Sequence, residues 1–198
     1  MVGERSLALV LAVLSLPIIL AAATVIFCLS RRTPIVAHLR VGQYGRPFWM
    51  WKLRSMWVPG QKPTVFAWIE RIDNGEAPPL RKGMDDPRVK SRFARFCRRH
   101  SIDELPQLWH VLTGRMTLVG PRPLTAQELD EHYGPAAAEV LRRKPGITGL
   151  WQVRGRDRLT YRQRRKLDLF LAQRYSPALC CLILRNTVTA VLSGRDAS

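Results

Sequence analysis

Carboxylates are scarce in this chain, 15 Asp plus Glu against 32 Lys plus Arg, yet Asp103 and Glu104 stand side by side. They follow a basic segment holding Arg92, Arg95, Arg98, Arg99 and His100. A carboxylate can attack phosphorus to form an acyl-phosphate-type intermediate, which divides one difficult transfer into two easier ones. Two anions meeting at a phosphate repel, so such a site needs cations. Arg98 and Arg99 precede the pair, and Arg122 stands between Pro121 and Pro123, where restricted backbone would aim its guanidinium for bidentate phosphate binding. Mg²⁺ held by oxygen ligands meets the same need. The competing reading is structural: acids favour helix N-termini, and this pair heads the apolar run Leu105 to Leu112 with Ser101 just before it. Spacing does not assign separate roles to the two acids, because neighbours on a helix point about 100° apart.

The surrounding elements must position these groups. Leu7 to Leu29 is apolar except for Ser15, Pro17 and Thr24; as a helix it rises roughly 34 Å, enough for a hydrocarbon core about 30 Å thick. Arg31, Arg32 and Arg40 mark its C-terminal flank as cytoplasmic, and no convincing cleavage site follows the apolar run. Pro17 removes a backbone hydrogen bond mid-segment and kinks the helix. Physics alone leaves a kinked spanning helix and a bent, re-entrant one open. Val36 to Met56 reads as a β-hairpin turning at Gly42-Gln43-Tyr44-Gly45. On its second strand Lys52 and Arg54 share a face, directed at a phosphate or at solvent. A short helix is expected around Thr64 to Ile72. A second is expected from an Asp86-Pro87 start to His100, with Val89, Phe93 and Phe96 on one side and Arg92, Arg95 and Arg99 on another. Such a basic amphipathic helix suits an anionic membrane surface. Gly146 and Gly149 permit close backbone approach to a ligand, or simply make turns, in a stretch that reads as extended chain and loop to Val153. Thr160 to Tyr175 reads as a charged helix with Leu167, Phe170 and Leu171 together. Pro177 to Leu192 is apolar but too short to span, hence core or membrane-skimming.

At 198 residues with a formal charge of +17, the chain has room for one catalytic domain and calls for an anionic partner: nucleic acid, an anionic membrane or phosphorylated substrates. Its four cysteines (Cys28, Cys97, Cys180, Cys181) form no CxxC, no His pair sits at zinc-ligand spacing, and a reduced, cytosol-facing compartment is the simplest reading. A basic scaffold at the membrane and a nucleic-acid-binding protein are the competing functional classes. The apolar N-terminus and the lack of a nucleic-acid motif speak against the second.

Several blocks, in order, resemble the bacterial sugar transferases, small monotopic phosphoglycosyl transferases. They are Arg40-Val41-Gly42, Phe48 to Met56, Asp86-Pro87-Arg88, Ser101 to Gln107 (SIDELPQ), Gly114 to Val119, Gly120-Pro121-Arg122-Pro123, and Pro145 to Val153 with Gly155-Arg156. Four positions depart from the family pattern: His110 replaces Asn, Arg115 replaces Asp, Thr117 replaces Ser, and Leu16-Pro17 stands where Ser-Pro is often seen. The resemblance implies an α+β, mostly α fold, with a re-entrant membrane helix over residues 1–32. A cytosolic catalytic domain over 33–198 would carry amphipathic interfacial helices and a small β-hairpin. It implies transfer of a sugar-1-phosphate from a UDP-sugar to undecaprenyl phosphate on the cytoplasmic face of the bacterial inner membrane, as the first membrane step of polysaccharide or glycoconjugate synthesis. Asp103 and Glu104 would be the catalytic pair and the Mg²⁺ ligands, with Asp103 the nucleophile, UMP the leaving product, and Glu104 helping to bind Mg²⁺ or positioning the second substrate. Lys52, Arg54, Arg98, Pro121, Arg122, Pro123, Gly146 and Thr148 would bind phosphate or nucleotide, and Pro17 would break the membrane helix. Membrane lipid is an implied partner, nucleic acid is not, and a homodimer is compatible. The sugar is not legible.

Overall fold

The computed structural model describes residues 2–56, 69–72, 91–155 and 159–193. Its first element, α1 (Val2–Ser30), is one continuous helix with Pro17 inside it. Leucine, isoleucine and valine occur all round this helix, so it has no polar face, as expected of a helix meant for an apolar environment. Only a narrow stripe is covered by protein: Ala8, Ser15, Ala22 and Ile26 are buried, while Leu9, Val13, Leu16, Leu20 and Leu29 are more than half exposed. The stripe repeats every seven residues and consists mainly of small side chains, which lets neighbouring backbone come close. Gly3–Ser30 is long and apolar enough to cross a membrane.

The expected hairpin is present as β1 (Ile35–Val41) and β2 (Pro47–Leu53), antiparallel, with Val36 opposite Lys52 and Arg40 opposite Phe48. Tyr44 (φ 58°) and Gly45 (φ 77°) in the intervening 3-10 turn Gln43–Gly45 reverse the chain. β3 (Glu70–Ile72) adds in parallel to the far side of β1. The helix expected around Thr64 to Ile72 is therefore corrected at its end: Glu70, Arg71 and Ile72 are strand, because pairing with Val36, Ala37 and His38 outweighs local preference. The rest of that expected helix lies outside the described residues.

The helix expected from Asp86 begins later, as α2 (Arg92–Arg99), capped by the Ser91 hydroxyl, which accepts from the Phe93 and Ala94 amides. Asp86, Pro87 and Arg88 lie outside the described residues. The buried face of α2 is Ala94 and Cys97, whereas Phe96 is half exposed beside Arg92, Arg95 and Arg99. Aromatic and basic side chains thus share the outer face, a composition suited to a headgroup layer. The chain then enters a 3-10 segment (Ile102–Gln107) and α3 (Leu108–Leu112).

β4 (Thr117–Val119) and β5 (Gly146–Thr148) form a second, parallel pair, with α4 (Ala126–His132) and α5 (Ala136–Val140) between them. α6 (Leu150–Val153) replaces the loop expected after β5. α7 (Tyr161–Gln173) starts at a Thr160–Gln163 capping box, and α8 (Pro177–Ser193) follows. α8 packs Ile183 and Leu184 into the interior against Val119, Leu150 and Leu171. Its other side leaves Leu182, Val188 and Leu192 exposed, so it serves the core and also carries an apolar outer face. A further cluster joins Ala8 to Phe48, Met50, Leu108, Val111, Met116 and Leu118. Near the other end of α1, Ala22 and Ile26 pack on Leu53, Phe93 and Ile102. Both ends of α1 are thereby fixed to the same body.

Candidate active site

The acid pair sits on the 3-10 segment, and Ser101 (φ 55°) turns the chain into it from α2. With three residues per turn, successive side chains diverge by about 120°. Asp103 accordingly points inward and is buried, its Oδ2 accepting from the Ser55 hydroxyl at 3.4 Å. Glu104 is directed at β2, where its Oε1 lies 2.7 Å from Lys52 Nζ. Both partners of that ion pair are about a quarter exposed, so the pair positions charge more than it stabilises the fold.

Burial pushes the Asp103 carboxyl up to about 6, with the Glu104 charge adding to the rise and Lys52, Arg98 and its own backbone amide opposing it. Desolvation together with specific charged neighbours is the environment in which carboxylates are tuned for chemistry. Cys97 is buried in α2, where burial and the Asp103 charge push its thiol up to about 11.

His110 secures β2 from the side. Its Nε2 accepts from the Trp51 amide at 3.1 Å, and its ring meets Phe48 and Trp51 edge-on. Burial, with Arg115 nearby, pushes the imidazole down to about 4, so it stays neutral as that acceptor role requires. Trp51 also stacks on Trp109, with centroids 6.3 Å apart. The sequence singled out His110 only as a departure from a pattern; its burial on a strand edge needed the tertiary structure.

Of the remaining expected site residues, Arg54 is turned away from the acid pair. Its Nε donates to the Thr33 carbonyl and its guanidinium pairs with Glu70 at 2.5 Å, which ties β3 to the hairpin. β2 ends at Leu53, so strand alternation no longer governs the direction of Arg54. Arg122 belongs to a second cluster. Its amide donates to Asp168 Oδ1 at 3.3 Å, its guanidinium lies 4.5 Å from the Trp151 ring centre, and its charge helps lower Arg40. Burial brings Arg40 down to about 10, against the raising effect of Glu128. Asp168, fully buried on α7, also accepts from the Tyr133 hydroxyl at 2.8 Å; burial pushes its carboxyl up to about 6. An acid between Leu167 and Leu169 in an otherwise basic helix was the one sequence signal for it.

The two clusters occupy different stretches of the hairpin. Val36, His38 and Arg40 share a face of β1 with Lys52 opposite Val36, so the Arg40–Arg122 end lies about 13 Å along the strand from the Lys52–Glu104 end. Pro121 is buried next to Arg122, and Pro123 is half-buried. The Nε of Arg122 and the Nε1 of Trp151 are buried without hydrogen-bond partners among the described residues. Gly146 and Thr148 are directed elsewhere. A Cβ on Gly146 would run into the Gly120 backbone, so the close approach it permits joins β5 to the Gly120-Pro121 turn, where its amide donates to the Pro121 carbonyl. The Thr148 hydroxyl lies 2.7 Å from that of Thr187 on α8. Both make packing contacts within the protein.

Among the described residues no group of three or more His, Cys, Asp or Glu gathers as a ready-made metal site. Mg²⁺ binds through one or two carboxylates and completes its shell with water and substrate phosphates; here Asp103 is buried and Glu104 is paired with Lys52.

Three relatives are similar over most of this chain. The UDP-galactose-lipid carrier transferase of Erwinia amylovora is 39% identical over 183 residues, which cover 90% of this chain and 37% of that protein. The exopolysaccharide production protein ExoY of Sinorhizobium fredii is 34% identical over 201 residues, covering 99% and 88%. The undecaprenyl-phosphate galactose phosphotransferase of Salmonella typhimurium is 39% identical over 159 residues, covering 80% and 33%. The chain thus spans about a third of two of these proteins and most of the third. Residues 2–194 match the bacterial sugar transferase family, and the chain belongs to that family.

Proposed function

We propose that this protein transfers a sugar-1-phosphate from a UDP-sugar to undecaprenyl phosphate at the cytoplasmic face of the bacterial inner membrane. The observation that carries this is Asp103: a buried carboxylate with a raised pKa, between Ser55 and the Lys52–Glu104 ion pair, in a chain of this family. An Asp103 oxygen attacks the sugar-linked phosphorus. The bond from that phosphorus to the bridging oxygen breaks, and UMP leaves with the electron pair. An oxygen of undecaprenyl phosphate then attacks the same phosphorus, forming the lipid diphosphate and returning Asp103 as a carboxylate. Lys52 and Arg98 offset the negative charge gathering at Asp103, and the Arg40–Arg122–Trp151 end of the hairpin holds the nucleotide side. Bound by Asp103 and Glu104, Mg²⁺ would supply further charge neutralisation at the diphosphate.

The test is the nucleotide released when the detergent-purified protein meets UDP-sugars, Mg²⁺ and undecaprenyl phosphate. UMP is expected, and the UDP-sugar consumed names the donor. Release of UDP would mean glycosyl transfer without the phosphate and would remove Asp103 from its role.

α1 in this proposal is re-entrant, with both ends on the cytoplasmic side. A spanning helix would carry Glu4 roughly 30 Å across the bilayer, whereas Glu4 Oε1 accepts from the Leu118 amide at 2.7 Å and Ala8 packs into the Phe48–Leu108 core. A cysteine introduced at Gly3 in a chain lacking its native cysteines should resist an impermeant thiol reagent on intact spheroplasts and react after lysis. Labelling before lysis would show a spanning helix.

A further inference from the structure

At the N-terminal end of α1 lies a cleft of about 320 Å³ that has no part in the chemistry at Asp103. Arg5, Arg142, Arg143 and Lys144 line it, against Glu4 as the one lining acid, and Glu4 is already accepting from the Leu118 amide. The surplus of positive charge therefore faces the cleft uncompensated by its own walls. Two features fix where the cations point. Gly114 has φ +74°, and the Arg5 guanidinium sits 2.7 Å from where a Cβ would stand, so only glycine leaves Arg5 its place in the wall. Arg143 donates from Nε to the Ala172 carbonyl and lies over the Tyr175 ring at 4.8 Å, which holds its guanidinium at the cleft. Arg142, paired with Glu139, sits at the exposed margin.

Position in the chain identifies the level of this cleft. Arg5 precedes by two residues the point where the apolar run begins at Leu7. With α1 in the membrane, the cleft stands where lipid phosphates stand. It also stands far from the acid pair: Ala22, which packs beside Leu53 and Ile102, is 17 residues up the helix from Arg5, about 26 Å away. No phosphate held here is within reach of Asp103.

We infer that this cleft binds the headgroup phosphate of an anionic glycerophospholipid, as a second attachment of the domain to the bilayer beside α1. The inference rests on the membrane placement of α1 proposed above, but not on the transfer chemistry. With Arg142 paired to Glu139, Arg5, Arg143 and Lys144 against the engaged Glu4 favour a headgroup with net negative charge over a zwitterionic one, and arginine provides paired donors for phosphate oxygens.

The test uses the full chain in zwitterionic detergent, titrated with short-chain phosphatidylglycerol, phosphatidylcholine of the same chain length, and inorganic phosphate, binding being read by calorimetry. Phosphatidylglycerol should bind more tightly than either of the others. Lys144→Gln and Arg5→Gln should each weaken it about fivefold, the equivalent of about 1 kcal/mol per basic residue. Lys144→Arg should retain it, and Arg162→Gln on the exposed face of α7 should leave it unchanged. UMP release in detergent should be unaffected by Lys144→Gln, which separates failure of this inference from failure of the transfer reaction. Equal affinity for the two lipids, or an equal loss in Arg162→Gln, would overturn the site. Inorganic phosphate binding as tightly as phosphatidylglycerol would make it a soluble-anion site and overturn the lipid assignment. Should Arg5→Gln prevent folding, the Lys144 pair of variants decides alone.

Discussion

Asp103→Asn is expected to abolish UMP release while leaving the protein folded and membrane-bound. Loss of a covalent nucleophile lowers turnover by on the order of 10⁴-fold or more in well-studied hydrolases, and asparagine cannot form the acyl-phosphate bond. The fold should tolerate the change, because asparagine keeps the size of the side chain and an oxygen for the Ser55 hydroxyl. The sign of the stability effect follows from the raised pKa. A carboxyl held at about 6 in the folded chain, against 3.8 ordinarily, binds its proton more tightly when folded. Its contribution therefore favours the native state at low pH and diminishes as pH rises from about 4 to about 6. At neutral pH the buried charge costs up to about 3 kcal/mol, part of which the neutral amide removes. Asp103→Asn should thus melt at the same temperature as the parent or higher, measured at pH 7. An inactive variant that also melts well below the parent would place Asp103 in the structure and not in the reaction; full activity would do away with the covalent intermediate.

The second large effect is expected at Lys52. Its ammonium lies 2.7 Å from Glu104 and is the foremost influence pulling Asp103 back toward ionisation. In Lys52→Ala that pull is lost while Glu104 still repels, so the Asp103 pKa rises above its present value. The nucleophile must be ionised to attack, so activity in the parent should fall as pH drops through about 6. In Lys52→Ala the same fall should begin at higher pH. Removing a cation aimed at developing phosphate charge should also lower turnover by about 10² to 10³-fold at neutral pH. Lys52→Arg keeps the charge with a different fork of donors, so it should recover the pH profile more fully than the rate. A lowered rate with an unmoved acid limb would mean that Lys52 acts on substrate alone and not through Asp103.

The buried carboxylate on α7 shows why part of the candidate site escaped sequence reading. Asp168 lies in a helix whose composition is that of a solvated surface, and its neighbours in space, Tyr133 and Arg122, are 35 and 46 residues away in the chain. Arg54 shows the reach of tertiary pairing. Its spacing from Lys52 is that of strand neighbours on one face, but the strand ends at Leu53 and Glu70, on a strand formed far along the chain, captures the guanidinium. For Gly146 the sequence left close approach and a simple turn both open, and what comes close to it here is the backbone of Gly120.

By itself the sequence determined the elements whose causes are local. A nearly unbroken apolar run of this length has the helix as its stable state in an apolar medium, so α1 was legible, as were the hairpin at its Gly-rich turn and the paired acids after a basic segment. The ordered blocks likewise determined the family. Only the tertiary structure decided which acid is buried and which faces Lys52, because a 3-10 turn splays neighbouring side chains and packing against β2 and α1 chooses the direction of each. It alone separated the Lys52–Glu104 and Arg40–Arg122 ends of the hairpin, and it alone brought Arg5 beside Arg143 and Lys144. Burial and long-range charge contact depend on which distant segments meet, and the meeting is set by the whole core.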